Sequence, residues 1–537
     1  MTGWNFADLF EALADHQPEL LAQRQAGRST TWREFDRRAD GVAAHLLAAG
    51  VAEQDKVAQY LYNAPEYLES CFGAFKAGLA TVNTNYRYTA DELVYLWDNA
   101  DVVAVVFHGT FAERADEVRH RLPRIRSWLW VDDGSGDCPA WAAPYEEAAT
   151  NPPGDRVAGP WGRDGDHLVL LYTGGTTGMP KGVMWRQDDL FRNIVGQMNP
   201  LVRNAEASDE TVRQMVTVAG PVGMPACPLM HGTGLYTQLI VLSVGGSSVT
   251  LVSRKFDVVE MFDTIERERV HQIAIVGDAF GKPMLRALDE RPGRWDLASL
   301  FLIASSGVMF SEPVKQGLLK HHPGMMLVDA FSSSEAVGMG QSISSGGSAS
   351  QTATFQLGEN TIVITEDGRR VEPGSGEIGR VAVGGHQPLG YYKDPDKTAA
   401  TFIEFEGRRY SCPGDFAMVE ADGSITLLGR GSVVINTGGE KVFPEEVEEA
   451  MKTFPGVRDA VAVAVPDEKF GEVVAAVVEV PPTESVDPAE LIAHVRSKLA
   501  AYKAPKHIFV IDTIGRAPNG KVDYKRLKAF AADARGS

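Results

Sequence analysis

Cysteine is scarce. The 537 residues hold four, Cys71, Cys138, Cys227 and Cys412, far apart and without a Cys-x-x-Cys pair. That spacing argues against a disulfide framework or a cysteine zinc site and makes a reducing cytoplasm the expected setting. Positive charge is also short: 52 Lys and Arg against 71 Asp and Glu leave a net charge of −19. A nucleic-acid binder would carry a basic face, so no nucleic-acid partner is expected. An anionic substrate has to be held by local donors against an unhelpful overall field. Long apolar runs are missing too. The nearest, Gly220 to Val252, is interrupted by Pro, Gly, His and Gln, whereas a spanning helix needs about 20 apolar residues. It reads as buried core strands and loops, and no transmembrane segment is expected. The opening MTGWNFADLFEALADH has acidic residues and no basic n-region, which does not read as a signal peptide.

What is present is an ordinary globular composition, 44% hydrophobic and 23% charged, in a chain long enough for roughly three folding units. Thr31 to Ala49 has apolar residues at helical spacing and stops at Gly50. Val57 to Leu61, Leu79 to Val82 and Val102 to Phe107 read as strands, with helices at Pro65 to Ala77 and Ala90 to Asn99. Such alternation predicts βαβ units and a parallel sheet. Asp132 to Asp166, crowded with Gly, Pro and Asp, reads as a long surface connection. Alternation resumes with a helix at Asp188 to Gln197, a strand at Ser248 to Val252, a helix at Val258 to Arg269, and strands at Ile273 to Val276, Leu300 to Ala304 and Met325 to Val328. Gln341 to Gln351 is Ser/Gly-rich and is expected to be mobile. Thr361 to Val383 turns to short strands and turns. Beyond Gly429-Arg430 comes an α+β texture: a helix from Pro444 with Glu445 and Glu446 in its first turn, strands at Ala460 to Val465 and Val473 to Val480, and a helix at Pro488 to Ala500.

The stretch around which the chain is organised is Leu168 to Gly182, LVLLYTGGTTGMPKG. An apolar strand opens into a loop of Thr173, Gly174, Gly175, Thr176, Thr177 and Gly178 and closes on Pro180-Lys181-Gly182. Glycines let backbone N–H groups crowd a ligand, threonine hydroxyls add donors and the lysine adds charge, a combination suited to a polyphosphate. It is not a Walker A motif, which requires Gly-Lys followed by Ser or Thr. Taken alone, the pattern also fits a surface turn.

With four further motifs in the same order, the chain resembles the adenylate-forming superfamily of acyl-CoA synthetases, peptide-synthetase adenylation domains and beetle luciferases. These motifs are Pro228-Leu229-Met230-His231-Gly232, Asp329-Ala330-Phe331-Ser332-Ser333-Ser334-Glu335, Gly414-Asp415 with Arg430, and a C-terminal set of Arg430-Gly431-Ser432, Gly438-Gly439-Glu440-Lys441 and Pro518-Asn519-Gly520-Lys521. The resemblance implies an α/β fold. Residues 1–429 would form a large N-terminal domain of parallel and mixed sheets with a small β-barrel-like subdomain. Residues 430–432 would be a hinge, and 433–537 a small mobile α+β domain. It implies that Thr173 to Lys181 hold the β- and γ-phosphates of ATP and that His231 lines the acyl pocket, although a lone His in an apolar segment is usually a core residue. Gly307, after Ser305-Ser306, would pass the adenine and acyl group. Phe331 would stack on adenine, with Asp329 in the same nucleotide-binding segment, and Ser334 would donate to phosphate. Glu335 would help hold Mg²⁺ through the phosphates. Asp415 would accept from the ribose hydroxyls with Arg430 adding charge-assisted donors. Gly438 and Gly439 would face the active site during thioester formation, and Lys521 would be the catalytic lysine. Departures from the usual pattern are Phe331 for Tyr, Ser332 for Gly, Ser334 for Thr, Pro413 for Thr and Ser432 for Asp or Lys.

The implied reaction activates a carboxylic acid with ATP to an acyl-adenylate and pyrophosphate, and coenzyme A then displaces AMP. Lys521 is expected to act as a cation, since an unperturbed lysine has a pKa of about 10.4. Small residues at Val276-Gly277-Asp278-Ala279-Phe280-Gly281 leave room for a bulky acyl group. Together with Met184-Trp185-Arg186-Gln187, they resemble a bacterial branch of fatty acyl-CoA ligases, some of which act on sterol side-chain acids. Neutral packing variants are the alternative. An aryl-CoA ligase, an enzyme loading a carrier protein and a non-catalytic nucleotide-binding regulator remain open. No carrier segment with a Ser attachment motif follows Lys521, and Lys521 and Glu335 argue against a regulator. The resemblance also suggests a homodimer and leaves peripheral membrane contact open.

Overall fold

The computed structural model describes residues 3–536 apart from 151, 153, 174–178, 197–198, 432–433, 438–439, 468–469 and 518–519. The chain divides into two compact units. The first comprises residues 3–173, Met179–Thr352 and Val383–Ser411, and the second Ala353–Ala382 with the described residues of 412–536.

Two sheets organise the first unit. One has eight strands, in the order Gly390–Tyr391, Lys181–Arg186, Leu168–Thr173, Ala80–Asn83, Lys56–Tyr60, Val102–His108, Ser127–Val131, Ala143–Pro144. It is parallel from Leu168–Thr173 onward and antiparallel at the first two strands. The other sheet is parallel through Leu21–Gln25, Ser247–Val249, Val222–Pro225, Gln272–Ile275, Leu302–Ser306 and Met326–Phe331. Antiparallel strands flank it at Arg28–Thr31 and Gly340–Ser344. The expected βαβ alternation is present. The helix Trp32–Ala48 begins where Thr31 Oγ accepts from Glu34 N–H, and Ala90–Asn99 begins on a capping box of Thr89 and Glu92. Both satisfy N–H groups that a helix start leaves unpaired.

Four sequence expectations need correction. Gly220 to Val252 contains a helix, Gly232–Ser243, between the strands Val222–Pro225 and Ser247–Val249. A segment apolar on all sides is buried whichever way it folds, so periodicity could not separate helix from strand. Gln341 to Gln351 is not a loose segment: Gly340–Ser344 pairs with Met326–Phe331, and Ser344 Oγ accepts from Ser350 N–H at 2.9 Å. Asp132 to Asp166 includes the strand Ala143–Pro144 and the helix Tyr145–Thr150. That helix is held because Tyr145 is buried and donates its hydroxyl to Glu69 at 2.9 Å. The helix expected from Asp188 starts at Gln187, ends at Phe191 and continues as a π turn over Arg192–Gly196.

In the second unit, Thr354–Leu357, Ser424–Arg430, Asp415–Val419 and Ile378–Val383 form an antiparallel β subdomain, with Thr361–Ile364 beside Ile378–Val383. The C-terminal α+β region is built on the hairpin Asp459–Asp467 and Gly471–Glu479, with His507–Ile511 parallel to the latter. Ala460, Ala462, Val474 and Ala476 pack with Val447, Met451 and Leu491 on one face, while Val461, Val463, Val473 and Ala475 meet Leu527 and Ala531 on the other. Both faces are covered, which is why these strands read as unbroken apolar runs.

Candidate active site

The site begins at the carboxyl ends of the parallel strands, where open α/β sheets place their ligands. Leu302–Ser306 and Met326–Phe331 run in register with Ser306 opposite Ala330, so Gly307 and Phe331 leave the same edge. Ser306 Oγ donates to Ala330 O at 2.7 Å and fixes that edge. Pro225 lies opposite Ala274 in the neighbouring pair, and the chain after it runs through Pro228 to His231, the half-buried N-cap of Gly232–Ser243.

Two asparagines that sequence reading passed over hold this arrangement. Asn63 Nδ2 donates to Pro225 O and Cys227 O, both at 3.0 Å, while its Oδ1 accepts from Leu229 N–H at 2.7 Å. Asn83, buried, donates to Tyr172 O at 2.9 Å and Met230 O at 2.6 Å and accepts from Tyr172 N–H at 2.6 Å. It thereby ties the strand that feeds the Gly/Thr loop to the turn that carries His231. A buried amide with all these groups satisfied is a strong positional constraint.

The Gly/Thr loop itself, Gly174 to Gly178, lies outside the described residues. Its ends do not: Thr173 is opposite Lys181 in the hairpin of Leu168–Thr173 and Lys181–Arg186. Lys181 Nζ forms an ion pair with Asp394, and that contact lowers the Asp394 carboxyl pKa.

Phe331 is buried at the end of its strand. Ser334 and Glu335 follow in a turn held from three sides. Trp185 Nε1 donates to Ser334 O at 2.9 Å, Ser411 Oγ donates to Glu335 O at 2.7 Å, and Tyr391 hydroxyl donates to Glu335 Oε1 at 2.7 Å. Trp185 therefore has a structural task here. Among the described residues no group of three or more His, Cys, Asp or Glu is placed to hold a metal. One half-buried carboxylate on a polar turn suits Mg²⁺, which binds through few carboxylates and mostly through phosphate oxygens and water.

Asp329 lies between Ser305 and Ser342 in register and is 5% exposed. Burial pushes its carboxyl up to about 7, with Lys315 opposing and Asp278 adding to the rise. Lys315 is also buried, donates to Ser350 Oγ at 2.8 Å, and is pushed down by desolvation.

The acyl-side reading of Val276 to Gly281 meets a different outcome. Gly277 has φ +49, and a Cβ there would lie 2.2 Å from Met309 O. Gly281 faces Val314 and Phe310, with a Cβ 2.8 Å from Val314 Cγ1. The small side chains at these two positions admit neighbouring protein atoms and leave no room of their own for an acyl group.

In the second unit the antiparallel register sets Asp415 opposite Arg430. Asp415 is buried, and Arg430 Nε donates to its Oδ1 at 3.2 Å. Fifteen residues of sequence thus close into one charged pair. Ser432, Gly438 and Gly439 lie outside the described residues; Thr437 and Glu440 pair across the hairpin that bounds the two glycines. Lys521 is exposed. Ala517 N–H donates to Lys521 O at 2.9 Å and Arg516 Nη1 donates to Gly520 O at 3.0 Å. Arg516 in turn grips Asp459 at 2.6 and 2.9 Å.

The AMP-binding enzyme family matches residues 10–392, and its C-terminal domain matches residues 446–521. A 3-oxocholest-4-en-26-oate–CoA ligase of Rhodococcus rhodochrous is 41% identical, covering 98% of this chain and 95% of its own. A medium/long-chain-fatty-acid–CoA/3-oxocholest-4-en-26-oate–CoA ligase of Mycolicibacterium smegmatis is 40% identical over 98% and 96%. The crystal structure of an anthranilate CoA ligase with anthranoyl-AMP has the same fold, with a TM-score of 0.84 at 20% identity over 100% and 99% of the two chains. The chain belongs to the AMP-binding enzyme family.

Proposed function

We propose that the chain is an AMP-forming acid–thiol ligase that turns a carboxylic acid and coenzyme A into a thioester at the expense of ATP. The observation that carries this reading is the match of both family segments in one chain, alongside relatives named as CoA ligases that align over nearly its full length. The relatives' printed substrates support a medium- or long-chain fatty acid or a steroid side-chain acid.

A carboxylate is a poor acyl donor because oxide is a poor leaving group. The acid's oxygen attacks the α-phosphorus of ATP, the bond to the β-phosphate oxygen breaks, and pyrophosphate leaves. Thr173, Lys181 and the loop between them hold the outgoing phosphates. Phe331 covers the adenine, and Asp415 with Arg430 takes the ribose hydroxyls. Magnesium, when bound, neutralises phosphate charge, and Glu335 is the carboxylate that would hold it. Lys521 stabilises charge at the α-phosphate, where preorganised donors contribute most. The thiol of coenzyme A then attacks the acyl carbon and AMP leaves. In this reading residues 1–429 and 433–537 are the two domains, 430–432 the hinge, and Gly438 and Gly439 serve the second step. Support for a cytoplasmic enzyme comes from four free cysteines and from the lack, among the described residues, of a helix long and apolar enough to cross a membrane. A homodimer is the assembly we propose, and light scattering tests it.

The deciding experiment measures pyrophosphate and AMP release with coenzyme A across octanoate, palmitate, a steroid side-chain acid and benzoate. Turnover of the first three is expected. Turnover of benzoate alone would replace this reading with an aryl-CoA ligase, and acyl-adenylate formation that ignores coenzyme A would point to a carrier-loading enzyme.

A further inference from the structure

The short strand Gly390–Tyr391 lies antiparallel to Lys181–Arg186, with Gly390 opposite Met184 and Tyr391 opposite Val183. Leu389 N–H to Met184 O and Tyr392 N–H to Gly182 O, both 2.8 Å, lock that register. The chain turns at Lys393, and Asp394 caps the helix Pro395–Thr401, its Oδ1 accepting from Lys397 N–H at 2.9 Å. The turn lays Asp394 Oδ2 against Lys181 Nζ. The two oxygens of one carboxylate therefore do separate work, Oδ1 holding a helix end and Oδ2 holding a cation. That cation follows the Gly/Thr loop in the sequence and stands opposite Thr173.

Both partners are partly exposed, 39% for the Lys181 side chain and 28% for Asp394. Pairs in such a setting contribute little net free energy, so this one breaks readily when a stronger anion arrives. A phosphate oxygen carries more charge and accepts the same hydrogen bond. After exchange the carboxylate keeps its cap bond and stays within the field of Lys397. The same segment also reaches Glu335 through Tyr391, so one strand and turn addresses both phosphate-side groups.

We propose that Asp394 is a resident stand-in for phosphate, holding Lys181 until the triphosphate of ATP takes the ammonium over, and that it thereby sets how strongly triphosphate is bound relative to monophosphate. This rests on the ligase reading, in which Lys181 meets the outer phosphates of ATP.

The test is calorimetric binding of α,β-methylene-ATP and of AMP to the full chain and to Asp394→Asn. Asparagine keeps the capping oxygen and removes the charge, and Asn caps helices as well as Asp. Release of Lys181 from an exposed pair is expected to tighten the ATP analogue by about two- to five-fold, with AMP affinity unchanged. Asp394→Ala also loses the cap, so its melting temperature is expected to drop while the same shift in analogue affinity remains. Unchanged or weaker binding of the analogue to Asp394→Asn overturns the proposal, as does equal tightening of AMP. A wild-type chain that binds neither nucleotide overturns the ligase reading, and this inference with it.

Discussion

Replacing Asp329 by Asn tests the electrostatics of the strand Met326–Phe331 directly. The carboxyl is buried, and its pKa moves from the ordinary 3.8 up to about 7, burial being the largest cause. A carboxyl raised in the folded state keeps its proton where the unfolded chain has lost it. Its stabilising contribution is therefore complete below about pH 4 and fades as the pH climbs through about 7. At about 1.4 kcal/mol per pH unit, that gap corresponds to about 4 kcal/mol between the two limits. Asparagine has the shape of the protonated acid and no titration. Wild type and Asp329→Asn are thus expected to be similar near pH 4, with the variant pulling ahead toward about 4 kcal/mol near pH 7.5. Lys315→Met removes the charge that favours ionisation of Asp329 and should carry the wild-type decline to higher pH and a larger total. The assay is urea unfolding in half-unit steps between those limits. A stability difference that stays constant across the series would refute the reasoning, because it would mean that Asp329 is ionised alike in both states.

Lys521→Ala is expected to slow adenylate formation by about 10²–10³-fold while largely sparing thioester formation from supplied acyl-adenylate; equal loss in both half-reactions would show the lysine is misassigned. Gly438→Leu should do the reverse, blocking the coenzyme A step, and an unchanged thiol step would remove Gly438 from a role in thioester formation. Gly429 has φ +121, and a Cβ there would lie 2.1 Å from Glu445 Oε2. Gly429→Ala should cost about 2–4 kcal/mol in thermal unfolding. Adding Glu445→Ala should recover the part due to the clash, and strict additivity in that cycle would count against it.

Local structure was legible because its causes are local. Apolar spacing and Gly50 after the first of these helices act within a few residues, and Trp32–Ala48 and Ala90–Asn99 lie where expected. Tyr145–Thr150 was missed because its six residues carry no long periodic signal; burial of Tyr145 against Glu69 holds them. The glycines at 277 and 281 misled for a related reason. A small side chain leaves space, and sequence does not say whether ligand or protein fills it. Here Met309, Val314 and Phe310 do.

By itself, then, the sequence determined the alternating α/β architecture, the acidic and cysteine-poor character, and the ordered motifs from the Gly/Thr loop to Lys521. Each is written in residues close together along the chain. Only the tertiary structure decided that Asn83 joins Tyr172 to Met230, that Trp185 and Tyr391 hold Ser334 and Glu335, and that Asp394 sits on Lys181. These partners lie up to 213 residues apart in sequence. A polar side chain does not specify its distant partner; sheet register and close packing do, and they exist only once the whole fold has formed.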